Sequence, residues 1–422
     1  MAFTRHRLER WLDGERTSLW QDLPTYKASG KRKHEASIAV VEKALAQQGC
    51  DRLCREGADS KACQALRSQG LLDPSAVFDE MKAKHPTAAS FPDMARLGLA
   101  NVGLVPSVGS DDVAVAMASF SKHSGAGPSG LRPCHLRQAL TPAHKDQVLD
   151  HVGSLAHLLV KGKAHPDVSP WLCGALLMAL PKKDGSARPI AVGEVYRRLA
   201  GKVLCASFRD AARAYLWPLQ IGVAQPLGTE VGLQVARQWC YRNRHEASKV
   251  FVKLDFSNAF NTIDRQFFLQ EVRNQFPGLA PWADFCYANP SKLVFGARTI
   301  SSECGVQQGD PLGPLLFSLA LQPLLQDLAN SRAPGQLELV FSYLDDLCLA
   351  GDAETAAEAV RTLKARCADI GLQLSTGLAN SQDKCEVILT GGAASTVDAS
   401  MFPPDFKVIR DGNFELLGAP IG

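Results

Sequence analysis

The chain has 422 residues, with 46 Lys and Arg against 43 Asp and Glu, and 46% of it is hydrophobic. That is enough apolar material for two or three domains with real cores, and it excludes a disordered chain. The longest apolar run, residues 171–180, is about half of what spans a bilayer, and the N-terminus is too charged for a signal peptide. The expectation is therefore an intracellular protein of nucleus or cytoplasm, not secreted and with no membrane partner.

Residues 1–106 read as a mostly helical N-terminal region with breaks around 84–92, no internal repeat and no chemical motif. Within it, "KASGKRKHE" at 27–35 reads as a linker or a localisation signal. Cys50, Cys54 and Cys63 stand at no zinc spacing, and the twelve cysteines form no CxxC pair, which suits reduced thiols. From about residue 107 the texture changes. "DDVAVAMASF" reads as an amphipathic segment that leads into the glycine-rich "SGAGPSGLRP" at 124–133. Gly125, Gly127 and Gly130 match GxGxxG formally, but Pro128 and Pro133 break the helix that a dinucleotide fold requires.

Between Lys182 and Arg213 the +3 net charge of the whole chain is exceeded locally, with eight Lys or Arg against three acids. The segment reads either as a solvated helix face or as a phosphate-binding surface. Further on, "KVFVKL" predicts a buried strand ending at Asp255, followed by helical spacing. "GVQQGDPLGPLLFSLALQPLL" at 305–325 begins as a turn and becomes an apolar helix, with Pro311 and Pro314 near its first turn. Residues 339–351, "LVFSYLDDLCLAG", predict a hairpin with Asp345 and Asp346 at its turn. A helix over 353–371, ended by Gly371, and a last strand "KCEVIL" complete an α+β sheet covered on one face.

Adjacent acids at a turn are either ordinary hairpin punctuation or a cation site. Like charges this close to a core raise each other's pKa unless a cation neutralises them. Hard divalent ions are held by such carboxylates together with substrate phosphates. Asp255, at a strand end, supplies the third acid that the second reading demands.

"KLDFSNAFN", "GVQQGDPLGPLLF" and "SYLDDL", in that order, resemble the three palm motifs of reverse transcriptases, especially those of non-LTR, LINE-like retrotransposons. "ALPKKDGSARPIAVGEVYRRLAGKVL" at 179–204 is similar to the preceding fingers segment, and "GAGPSGLRPCHL" to the glycine-rich start of the domain. The resemblance implies a polymerase right-hand fold over 107–422, with fingers at 107–247 and a palm at 248–422 that reaches the start of a primer grip in "FELLGAPIG". No thumb, endonuclease domain or zinc knuckle is expected in these residues.

Residue by residue, the resemblance implies that Asp255, Asp345 and Asp346 hold two Mg²⁺ ions, with Mn²⁺ as a substitute. Lys182, Lys183 and Arg188 would clamp the triphosphate. Gln308 and Gly309 would contact the incoming nucleotide. Phe260 would be a gate against the ribose 2′-hydroxyl, or simply a core ring. Lys384 would be a general acid to pyrophosphate, or a surface lysine. Arg197, Arg198 and Lys202 are expected to bind the template. The implied activity is RNA-directed DNA polymerisation, with RNA template, DNA primer and dNTPs as partners. The alternatives are a catalytically silent nucleic-acid-binding remnant and an RNA-dependent RNA polymerase. Phe260 and YLDD in place of GDD disfavour the latter.

Overall fold

A computed structural model describes residues 70–122, 124–182, 184–331, 335–375 and 384–422. The basic stretch at 27–35, the cysteines at 50, 54 and 63, and Lys183 lie outside these residues. Leu71–Gly422 forms one compact unit, separate from Met1–Gly70. The boundary expected near 106 falls inside the second of these units. The reason is packing: Met81, on helix α1 (Phe78–Ala83), is fully buried against a sheet formed a hundred residues later.

That sheet has four strands in the order β2-β1-β4-β5, with β1 Ala175–Pro181, β2 Ala187–Gly193, β4 Ser291–Phe295 and β5 Arg298–Ser302. Helices α2 (Ser110–Ala118), α3 (Lys145–Val160) and α4 (Val195–Ser207) pack on one another beside it. The glycine-rich segment between α2 and α3 carries no nucleotide cradle. Gly127 lies so close to the β2–α4 junction that a Cβ would stand 2.8 Å from the Glu194 backbone. Ser129 then donates from its N–H and its Oγ to the two Glu194 carboxylate oxygens, at 2.6 Å each. Its glycine serves a close chain crossing.

Helix α5 (Gly228–Arg242) leads to a second sheet of order β6-β7-β3-β8-β9. Its strands are β3 Lys249–Leu254, β6 Leu339–Tyr343, β7 Asp346–Asp352, β8 Glu386–Leu389 and β9 Lys407–Ile409. Helices α6 (Arg265–Gln275) and α7 (Ala280–Tyr287) follow β3, α8 (Gly313–Asn330) precedes β6, and α9 (Ala353–Asp369) follows β7. Pro314 sits in the first turn of α8, where no intrahelical donor is lost. Among the described residues, no helix is long and apolar enough to cross a membrane.

The second sheet is covered on both faces, which corrects the expectation of one. Side chains alternate across a strand, so Val250, Val252, Leu347 and Leu349 join the main core with α8 and α9. Phe251, Cys348, Ala350 and Ile388 face the other way. They are sealed by Ala236 and Trp239 of α5 and by the hairpin of β10 (Phe414–Leu416) and β11 (Ala419–Ile421). The Phe251 ring lies 5.1 Å from Phe414 and 6.0 Å from Trp239, centroid to centroid. Both sides of β3 being apolar explains why its sequence shows a run and not an alternation.

Replacing Phe251 with Ala should therefore lower stability by about 3–5 kcal/mol in urea denaturation, the range for emptying a packed aromatic site. A loss below about 1 kcal/mol would show that the second face is not a core.

Candidate active site

The central strand β3 runs antiparallel to β7 with Leu254 opposite Leu347. Carried one residue further, that register sets Asp255 beside Asp346. Asp346 opens β7 opposite Tyr343, and Asp345 lies in the turn just before it. The hairpin and two strand ends thus bring together the three acids singled out in the sequence.

Burial raises the pKa of Asp345, and the Asp255 charge adds to it, with Lys384 and Arg188 opposing. Asp346 is pushed up to about 6, by burial first and then by the charges of Asp345 and Asp255. Asp255 is tethered through one oxygen, Oδ2, which accepts from Ser375 Oγ at 2.7 Å and from Lys384 Nζ at 3.1 Å. Among the described residues, no three His, Cys, Asp or Glu side chains are gathered into a ready metal cluster. The donor chemistry nevertheless fits a hard divalent cation: carboxylates converge, Asp345 and Asp346 are half-buried, and they repel one another. A lysine ammonium sits against Asp255 in that role.

Cations face the acids from the four-stranded sheet. Lys182 begins the β1–β2 turn, which its backbone closes with Ser186 and Gly185, and Arg188 stands exposed on β2 opposite Leu180. Burial lowers the pKa of Lys182, and the charges of Lys84, Lys384 and Arg188 lower it further. Lys84 was not legible in the sequence, because it follows a short helix with no motif. It is held by Glu80 at 2.7 Å and donates to the Ala187 carbonyl, while its own carbonyl accepts from Asn258 Nδ2 at 2.8 Å.

Gln308 and Gly309, in the loop before α8, lie against β2 of the four-stranded sheet. The Ala191 N–H donates to the Gln308 carbonyl at 2.7 Å, and Gly309 has φ +126 with a Cβ position 2.3 Å from the Ala191 carbonyl. No residue with a side chain fits there. Phe260 is half-buried and stacked on Phe317 of α8, centroids 4.8 Å apart and planes 8° from parallel. Its carbonyl accepts from Val306 N–H at 2.7 Å.

The basic segment divides differently from the expectation. Arg197, expected on a template-binding surface, is 1% exposed and turned into the protein. Its guanidinium pairs with Asp310 at 2.7 Å, reaches Tyr287 Oη at 3.1 Å, and donates to Gln307 Oε1 and the Cys173 carbonyl. Burial works against that charge, but Asp310 and its neighbours raise the pKa well above the ordinary arginine value. Arg198 is also buried: it donates to the Gly125 carbonyl at 2.7 Å and lies over the Phe120 ring, which Lys202 approaches at 4.9 Å. These are α4 positions that face the protein. Helical spacing does not reveal which face meets solvent when a buried acid lies a hundred residues away.

A family model described as reverse transcriptase (RNA-dependent DNA polymerase) matches residues 180–421. The retrotransposable element SLACS 132 kDa protein of Trypanosoma brucei gambiense is 26% identical over 301 residues, which cover 68% of this chain and 23% of that protein. The retrovirus-related Pol polyprotein from type-1 retrotransposable element R2 of Popillia japonica is 28% identical over 207 residues, covering 44% of this chain and 28% of that protein. The chain spans about a quarter of the length of these curated relatives.

Two measurements check this geometry. An acid whose folded pKa is raised makes the fold weaker as pH climbs from the unfolded value toward and through the folded one. In metal-free buffer, Asp346→Asn should hence raise the denaturation midpoint at pH 8 and leave it nearly unchanged at pH 4. An equal effect at both pH values would refute the crowded-acid assignment. For Arg197→Ala, the stranded Asp310 should lower stability by about 3–5 kcal/mol. Loss of template affinity with full stability would instead restore a surface role.

Proposed function

The chain belongs to the reverse transcriptase family, and from that membership we propose that it extends a DNA primer on an RNA template with dNTPs, as part of a non-LTR retrotransposon protein. The observation that carries the reading is the meeting of Asp255, Asp345 and Asp346 at neighbouring strand ends, opposite Lys182 and Arg188. Charge of both signs across a cleft suits a nucleotide whose phosphates need cations and whose bound metal needs carboxylates.

In this reading Asp255, Asp345 and Asp346 would hold two Mg²⁺ ions, or Mn²⁺, whose chemistry when bound would be to lower the pKa of the primer 3′-hydroxyl and to neutralise charge on the leaving pyrophosphate. Arg188, exposed on β2, grips the triphosphate in bidentate fashion, with Lys182 and Lys183 as point charges. Lys84 adds to the same field. Gly309 lets the backbone approach the nucleotide, and Gln308 contacts it. The Phe260 ring, fixed by its stack on Phe317, stands beside the sugar and selects deoxyribose. Lys384, whose Nζ lies 3.1 Å from Asp255 Oδ2, would be the proton donor to pyrophosphate. A second reading, a remnant that binds nucleic acid without polymerising, draws on that same Lys384–Asp255 pair, which in this state satisfies the acid without any metal.

Primer extension separates the two. With RNA template, dNTPs and Mg²⁺ the chain should lengthen a primer, and EDTA should stop it. Asp255→Asn and Asp345→Asn should each reduce extension by on the order of 10³-fold or more while keeping primer–template affinity, because phosphate-facing cations carry the binding. Binding without extension in the parent protein would favour the remnant. Near-parent rates in either variant would remove the metal assignment.

A further inference from the structure

The turn that carries the acids is held in a costly conformation by a residue from outside the motif. Leu344, which immediately precedes Asp345, has φ +58. A side-chain-bearing residue rarely adopts this left-handed region unless its surroundings over-determine it. Here they do. Gln220, fully buried, accepts the Leu344 N–H on Oε1 at 2.8 Å and donates from Nε2 to the Leu344 carbonyl at 3.3 Å. The same carbonyl accepts from Ser342 Oγ at 2.6 Å. Gln220 Oε1 also accepts the Gly222 N–H at 3.1 Å, which fixes the carboxamide from its own side. The segment around it lies as a short parallel addition on the edge of β6: Ser342 N–H donates to the Leu219 carbonyl at 2.7 Å, and Ile221 N–H to the Ser342 carbonyl at 2.9 Å. At Gly222 a Cβ would stand 2.9 Å from the Leu344 nitrogen, so the approach is as close as backbone permits.

We propose that Gln220 is a positioning residue of the active site, whose carboxamide clamps both polar groups of Leu344 and thereby fixes where Asp345 and Asp346 stand. The proposal rests on the polymerase reading of that site. An amide side chain is what the clamp requires, since one acceptor and one donor must be offered side by side. A glutamate keeps the acceptor and the length but cannot donate to the Leu344 carbonyl. A methionine keeps the volume and offers neither. Nothing in the spacing of the acids announces the clamp, because it arrives from more than a hundred residues earlier in the chain.

The test compares the parent chain, Gln220→Met, Gln220→Glu and a core control, Leu363→Ala, which removes a fully buried side chain of α9. Three quantities are read: amide hydrogen exchange at Leu344 and at Val252 of β3, the single-turnover rate of nucleotide addition, and the apparent dNTP Kd. In Gln220→Met the Leu344 amide should exchange at least about tenfold faster with Val252 unchanged. The addition rate should fall on the order of 10²-fold, the size expected when reacting groups are displaced by about 1 Å, with dNTP Kd little changed. Gln220→Glu should keep much of the Leu344 protection and give an intermediate rate, and it decides the matter if the methionine variant does not fold. A Gln220 variant with faster Leu344 exchange and parent-like rate would overturn the proposal. An equal rate loss in Leu363→Ala would do the same, since destabilisation alone would then explain the defect. Should the parent chain add no nucleotide to any primer, the polymerase reading fails, and the exchange data still decide whether Gln220 holds the turn.

Discussion

Three carboxylates pressed together at the ends of adjacent antiparallel strands repel one another, and the surrounding architecture answers that repulsion. Burial of Asp345 and Asp346 strengthens it, because the low-dielectric side of the site screens poorly. The fold answers with cations from two sides, Lys182 and Arg188 on the four-stranded sheet and Lys384 just before β8 in the sheet of the acids themselves. It also answers with backbone rigidity under the acids, from the sealed second face of the sheet around Phe251 to the clamped turn at Leu344. A site of this kind has an unfavourable charge distribution that a cation relieves.

The distance between the acids and the cations of the four-stranded sheet is set where the loop before α8 meets β2. Ala191 meets Gln308 and Gly309 through backbone alone, and the Arg197–Asp310 pair with Tyr287 and Gln307 braces the same seam a few residues away. One continuous core passes from α2, α3 and α4 through α8 to the sheet that carries the acids. Cleft width is therefore a property of packed interior, and the parts free to adjust are the long side chains of Arg188, Lys182 and Lys384.

How much of this was legible in the sequence follows from the range of each interaction. The strand ending before Asp255, the hairpin at Asp345–Asp346, the proline-initiated α8 and the glycine-ended α9 are local patterns, and each was readable from a few neighbouring residues. The second covered face was not, because it is made by α5 and the β10–β11 hairpin, on opposite sides of the strand in sequence. Lys84, Gln220 and the fate of Arg197 were missed for the same reason. Each depends on a partner brought near by topology: the Ala187 carbonyl, the Leu344 backbone and Asp310. A count of positive charges along α4 measures composition and says nothing about which of them finds a buried acid.

Magnitudes then sort the cations by what they can do. The Arg197–Asp310 pair, sealed from water, is expensive to break, since either partner left alone would be an uncompensated buried charge. It cannot be borrowed for substrate. The Lys384–Asp255 pair is different: the lysine side chain is 48% exposed, and exposed pairs are worth about 0–1 kcal/mol. A pair this weak leaves Asp255 open to other cations, while the chain of β8 keeps Lys384 beside the acids. The two pairs thus divide by exposure: Arg197–Asp310 is fixed structure, whereas Lys384–Asp255 is weak enough to open and its lysine is held near the acids when it does.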